Sequence, residues 1–578
     1  MLRVLAAAGA GGALGRELAA LADSEGRVTV EMIQQAEWLT GLRLDPEERE
    51  LMLGRLSDLH AGVDELRAVE LDNSVPPALT FDPTPGRPAD LAESGVAEEA
   101  VTAEIAAGGR LEDEPLFGGV RVLAAALRRR ELTSVELTRR ALERIDRYDP
   151  QLRCVITRTD ELALEQAERA DRELAAGIDR GPLHGLPWGA KDLLAVPGYR
   201  TTWGATTHRD QTRPEHATVA RKLEEAGAVL VAKTSVGALA WGDVWFDGQT
   251  KNPWKVDEGS SGSSAGSASG TAAGLMTFAI GTETLGSIVS PCTVCGTSGL
   301  RPTFGRVSRH GVMALSWSMD KVGTIARSVD DCALAFAAIH GADPHDPTAR
   351  SAPFSWSASG LPDGRLPADV RVGYVEADFA GSRVEGVEDE IERQDLIEWQ
   401  AHDRTTVRQL RRLGFQLVPM ALPDDLPVAA LRQILWVEAA TAFDELTRSG
   451  RDEQLVRQVE WAWPNFFRVG QMVPAVEYLR ANRIRTLLMK RMEEVLSEID
   501  LYVSPSWFGS NLTRTNLTGH PQVVVPNGFR SSDGTPTSIT FTGRHWDEST
   551  LLAVARAYQE ATDFHRARPG LTHLARAR

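Results

Sequence analysis

Two serines and a lysine sit in small-residue settings suited to hydrolytic chemistry: Lys191 in GAKD, Ser263 in SGSSAGS and Ser287 in GTETLGSIVSP. A serine hydroxyl is a poor nucleophile until a base takes its proton. A lysine can be that base only when neutral, so burial or a neighbouring cation must lower its pKa from about 10.4. Ser263 lies in GSSGSSAGSASG (259–270), twelve residues drawn only from Gly, Ser and Ala. Composition alone suits a flexible linker. The segment that follows at once, TAAGLMTFAIGTETLGSIVSPCTVCG, is apolar and Gly-punctuated and belongs in a core. The stretch therefore reads as a place of close backbone approach leading into a helix N-terminus. Within it, Gly262-Ser263-Ser264-Ala265-Gly266 matches G-x-S-x-G, the strand-to-helix elbow that would make Ser264 the attacking residue. That elbow must follow a buried strand, and KNPWKVDEG upstream is polar and Pro-broken, so the elbow reading is rejected.

Around these residues the chain alternates helix and strand. Thr133-x-x-Glu136 is a capping box opening a helix through Tyr148. GPLHGLPWGAKDLLAV runs an apolar segment into Lys191, and AGAVLVAKT (226–234), VRVGYV (370–375) and VVVPNGF (523–529) read as strands. The alternation predicts an α/β fold with a largely buried sheet.

In order and register, these pieces resemble the amidase signature family. GPLHGLPWGAKD, the Ser/Gly run, GTETLGS, GLRPTFGRVSRHGVMALSWSMDKVGTIARSVDDCA and NLTGHPQVVVPNGF carry the likeness over about residues 115–575. The resemblance implies a three-layer α/β/α sandwich around a mixed β-sheet and no cofactor or metal. It makes Ser287 the nucleophile, Ser263 a relaying serine at a cis peptide bond, and Lys191 the base. The backbone N–H groups of Thr284, Leu285, Gly286 and Ser287 would hold the oxyanion. Neither serine motif contains a histidine, and His184, upstream of Lys191, is expected to be structural.

The chain departs from the common family form GTDTGGSIRxP at Glu283, Leu285 and Val289. Val289 stands where a cation meets anionic substrates in some members, which disfavours a small dicarboxylic half-amide. Trp241, Trp317 and Trp463, the last in WAWPNFF, are candidate substrate-pocket residues. The expected substrate is an apolar or aromatic amide, anilide or carbamate, with esters included. The second reading is a glutaminase, the ammonia-donating component of a tRNA-dependent amidotransferase. The third is a catalytically inactive scaffold, disfavoured by the intact Ser–Ser–Lys set.

The formal net charge of −17 excludes nucleic acid as an expected direct partner. Cys154, Cys292, Cys295 and Cys332 are too few for a disulfide framework, and the Cys292-x-x-Cys295 pair lacks a second ligand pair for zinc. No run of apolar residues is long enough for a membrane span. Residues 1–22 are signal-like and apolar but lack a twin-arginine pair, so cytoplasmic residence is favoured and export is the alternative. Residues 23–90 form a helical appendage: Asp45-Pro46-Glu47-Glu48 starts one helix, whose Met52, Leu56, Leu59, Val63 and Leu66 make a stripe, and a second helix precedes it around 30–40. A Pro-rich tail (73–88) follows, then a linker (91–114) and the amidase-like domain (115–578). GLRLDPEERELMLGRLSDLHAGVDEL in the appendage resembles the small C subunit of tRNA-dependent amidotransferases. A small-molecule amide is the expected partner, and a homodimer stays open as the assembly.

Overall fold

The computed structural model describes residues 28–71, 78–79, 111–357 and 360–571. The signal-like segment and most of the Pro-rich tail and linker lie outside the described residues. The backbone forms two compact units, residues 1–79 with 424–487, and residues 80–423 with 488–578.

The larger unit is built on an eleven-stranded sheet. Its strands are β1 (Val155–Arg158), β2 (Pro187–Lys191), β3 (Val229–Thr234), β4 (Phe278–Glu283), β5 (Ser298–Arg301), β6 (Lys321–Ala326), β7 (Arg371–Tyr374), β8 (Gln416–Pro419), β9 (Leu501–Pro505), β10 (Gln522–Phe529) and β11 (Pro536–Gly543). Their order across the sheet is β1-β3-β2-β4-β6-β5-β10-β11-β9-β7-β8. Pairing is parallel for β3-β2-β4 and for β9-β7-β8 and antiparallel between, which makes the sheet mixed. The central strands β2, β3, β4 and β6 are buried at every position, as expected of apolar runs covered by helices on both faces. The expected capping box is present: Thr133 caps helix Ser134–Leu152, with Glu136 closing it reciprocally.

The smaller unit contains the two expected N-terminal helices, Val30–Thr40 and Pro46–Ala68, the second with the Asp45/Glu48 capping box. An amphipathic stripe needs a partner, and this one finds it far along the chain. Met52, Leu56 and Leu59 pack in one cluster with Ile33, Leu42, Leu44 and Val469. Asn465 Nδ2 donates to the Leu51 carbonyl, and Arg468 pairs with both Glu48 and Asp452. Residues 424–487, inside the 115–578 span read as the amidase-like domain, thus supply the core that the N-terminal stripe requires. Among the described residues no helix is long and apolar enough to cross a membrane.

Candidate active site

Lys191 ends β2 and Thr282 lies near the end of its parallel neighbour β4, so the carboxyl ends of these strands bring the two residues together. Lys191 Nζ lies 2.7 Å from Thr282 Oγ1 and 3.2 Å from the Thr282 carbonyl, 2.9 Å from Ser263 Oγ and 3.0 Å from Ser264 Oγ. The amine is fully buried. Burial pushes its pKa well below the usual lysine range, against the opposing pull of Asp320 and Glu283. A second buried lysine on the adjacent strand makes the contrast. Lys233 Nζ is paired with Asp192 at 2.6 Å, whereas no carboxylate salt bridge forms to Lys191 among the described residues. Lys191 is thus surrounded by hydroxyls and a carbonyl, the setting that favours a neutral amine.

The Gly/Ser stretch is folded tightly, not as a linker. Lys255–Gly259 does form a strand, but it belongs to a half-exposed two-stranded ribbon with Lys251–Asn252 and not to the sheet, in keeping with the rejection of the elbow. The Gly262–Ser263 peptide bond is cis. A Cβ on Gly262 would lie 1.9 Å from the Gly242 carbonyl oxygen, so only glycine fits there. Ser261 N–H is held by Asp243 at 3.0 Å. Helix Ala265–Ala272 then begins, buried throughout, which explains its small residues. Ser264 is not a free hydroxyl: it donates to the Thr282 carbonyl at 3.0 Å and accepts from Thr282 N–H at 3.2 Å.

Ser287 is reached through the turn after β4. Gly286 has φ +93°, a conformation suited to glycine. Glu283 anchors the turn from behind. Its Oε2 accepts from the N–H groups of Ile288 (2.8 Å) and Val289 (2.9 Å), and its Oε1 accepts from Arg301 (2.5 Å) and Asn516 (2.8 Å). Burial alone would raise the Glu283 pKa, but Arg301 and these donors hold it at about 2. The turn docks on the Ser/Gly stretch through Ser264 N–H to the Ser287 carbonyl at 3.1 Å. Among the described residues nothing accepts the N–H groups of Leu285, Gly286 or Ser287, and Ser287 Oγ makes no hydrogen bond. Free donors at a rigid turn are what oxyanion binding requires. Thr284 Oγ1 donates to Asp320 at 2.6 Å, and Asp320 in turn accepts from Leu315 and Ser316 N–H. Burial raises the Asp320 pKa despite these bonds.

A cavity of about 240 Å³ opens beside Thr282 and Thr284. Leu193, Ala240, Met313, Leu315 and Trp317 line it, with Arg309 at the same wall. Trp317 is therefore at the cavity, and Trp241 follows the lining residue Ala240. Trp463 is elsewhere: it is 3% exposed and stacks on Phe467 at 5.3 Å within the smaller unit, its ring engaged in core packing. His184 is fully buried with Nε2 3.0 Å from Glu173 and Nδ1 bonded to Arg180 N–H, a structural role. The four cysteines are free and buried, with burial raising each thiol pKa.

Thr282, Ser264, Glu283 and Asp320 have no site role legible in the sequence. Thr282 and Glu283 lie inside the GTETLGS motif itself, so their positions are visible there although their functions are not. Asp320 lies in the SMDKVG segment, 33 positions beyond Ser287, and only the antiparallel β4–β6 pairing returns it to Thr284.

The amidase family matches residues 136–513. The chain belongs to this family. It is 33% identical over 490 residues to the glutamyl-tRNA(Gln) amidotransferase A subunit of Roseiflexus sp. (strain RS-1), covering 77% of this chain and 96% of the relative. The corresponding protein of Chloroflexus aggregans is 35% identical over 492 residues, with 77% and 96% covered. Native peptide amidase from Stenotrophomonas maltophilia has the same fold at a TM-score of 0.66 and 30% identity, over 78% of this chain and 98% of that one. The amidase match begins at residue 136, so the C-subunit likeness of the N-terminal segment rests on its sequence alone. Membership carries carbon–nitrogen bond hydrolysis as the chemistry of this fold.

Proposed function

We propose that this amidase hydrolyses an amide-type bond through an acyl-enzyme on Ser287. The observation that supports the reading is the buried Lys191 amine, unpaired with any carboxylate among the described salt bridges and 2.9 Å from Ser263 Oγ. In this reading neutral Lys191 takes the proton of Ser263 as Ser263 takes that of Ser287. Ser287 Oγ attacks the carbonyl carbon, and the N–H groups of Thr284, Leu285, Gly286 and Ser287 receive the oxyanion. The proton returns along the same path to the leaving nitrogen, and water then releases the acyl group.

Leu193, Met313, Leu315 and Trp317 at the cavity favour an apolar or aromatic acyl or leaving group. Arg309, also at the cavity, is 3.6 Å from Asp346, so a substrate carboxylate would have to compete for it. The second reading, glutamine hydrolysis within an amidotransferase assembly, is supported by the relatives' identity over nearly their whole length. One assay separates the two. Aryl anilides, aryl carbamates, peptide amides and glutamine are compared on the purified chain. The first reading expects kcat/KM for an anilide or carbamate to exceed that for glutamine by at least about tenfold; a preference for glutamine overturns it.

A further inference from the structure

Asp320, partly buried at the cavity wall, joins two pieces of the site that are far apart in the chain. The antiparallel β4–β6 pairing sets Lys321 opposite Glu283 and Val322 opposite Thr282. Asp320 therefore stands at the end of β4, where the Ser287 turn begins. Its Oδ1 accepts from Thr284 Oγ1 at 2.6 Å. Its Oδ2 accepts from the N–H groups of Leu315 and Ser316 at 2.8 and 2.9 Å, and its own N–H donates to the Ser316 carbonyl at 3.0 Å. One oxygen thus holds the first residue of the oxyanion turn. The other holds the loop that brings Leu315 and Trp317 to the cavity. Hydrogen bonds to an ionised carboxylate are the stronger kind, about twice a neutral pair.

The carboxylate also faces the amine. Thr282, which meets Lys191, and Thr284, which meets Asp320, are two residues apart and line the same cavity. The other charges nearby are matched: Glu283 by Arg301 at 2.5 Å, Lys233 by Asp192 at 2.6 Å, and Arg309 by Asp346 at 3.6 Å. Asp320 forms no ion pair among the described residues. Burial favours its neutral form, while Thr284, the two backbone donors and the charge of Arg309 favour the carboxylate. A carboxylate there favours protonated Lys191 and so tempers what burial does to the amine. Its benefit comes as the proton arrives, when the amine turns into an ammonium. We infer that Asp320 is a positioning residue for the proposed hydrolysis, holding Thr284 and the loop at 315–317 in register and supporting the ammonium that Lys191 becomes. The inference rests on the Ser287 acyl-enzyme reading.

Asp320→Asn isolates the charge, because asparagine can keep all three contacts: Oδ1 accepts from Leu315 and Ser316, and Nδ2 donates to Thr284 Oγ1. The test is the pH profile of kcat and KM for the full-length parent, Asp320→Asn, Thr284→Val, Thr284→Ser and Ser287→Ala, with the best substrate of the comparison above and circular dichroism as the check on folding. In Asp320→Asn the acid limb should move to lower pH by at least about half a unit. The plateau should fall by about three- to tenfold, since a weaker base takes the proton less readily. Thr284→Val should keep the parental limb and lose about tenfold or more in kcat with little change in KM, and Thr284→Ser should regain most of that loss. A carboxylate with a structural role alone leaves the limb of Asp320→Asn at the parental pH, and that result overturns the inference, as does parental kcat in Thr284→Val. An active Ser287→Ala enzyme removes the acyl-enzyme reading itself, whereas an inactive one beside a parental profile in Asp320→Asn counts against Asp320 alone.

Discussion

Replacing Glu283 by Gln, a change of one atom, should destabilise the turn that carries Ser287. The carboxylate is fully buried and accepts four hydrogen bonds, two on each oxygen. An amide has one acceptor oxygen, so in either orientation its NH₂ faces a pair of donors. Arg301, fully buried, would also lose its counter-charge. Removing one partner of a buried pair costs about 3–5 kcal/mol. A carboxyl held at about 2 in place of its ordinary 4.5 likewise contributes about 3 kcal/mol at neutral pH. Because the folded pKa is depressed, that contribution is present above pH 4.5 and fades as pH falls toward 2. Urea unfolding at pH 7 should therefore show Glu283→Gln less stable by about 3 kcal/mol, with the gap narrowing below pH 4.5. Hydrogen exchange at Ile288 and Val289, whose N–H groups Glu283 holds, should speed up by roughly 100-fold. Hydrolysis should fall by about 10²–10³ as the turn that carries Ser287 loosens. Parental urea stability together with parental exchange at these two amides would refute the reasoning.

Ser287→Ala should lower hydrolysis by roughly 10⁵-fold or more with the fold intact, whereas Ser264→Ala, losing its contacts with Lys191 and Thr282, should cost only about tenfold; steady-state kinetics of the two variants check the assignment. Lys191→Met should abolish hydrolysis yet unfold at the same or a higher temperature, since it removes a buried amine. In the parent, activity should rise with pH as Lys191 loses its proton. The folded pKa lies below the unfolded 10.5, so Lys191 also makes parental stability rise with pH up to about 10.5, a slope the Met variant should lack. Gly262→Ala would place a methyl 1.9 Å from the Gly242 carbonyl and should destabilise by at least about 1–3 kcal/mol, read by thermal unfolding, with hydrolysis lost.

Local signals in the chain were enough to establish the alternation of helix and strand and the ends of several elements, because caps and apolar periodicity act over a few residues. Thr133, Asp45 and the stripe from Met52 to Leu66 needed no distant partner to be recognised. Lys191, Ser263 and Ser287 were named through the family likeness, because three short motifs in order and register, separated by 72 and then 24 positions, are specific together where each alone is not. What those residues meet depends on how the chain packs. Only the parallel β2–β4 pairing brings Thr282 to Lys191, and only Asp192 beside Lys233 separates the charge-paired lysine from the unpaired one. Composition could not distinguish Trp317 at the cavity from Trp463 in a core, because both are large apolar rings that suit either place. Nor could it assign residues 424–487 to the N-terminal helices, since an apolar stripe specifies that it must be buried but not against what.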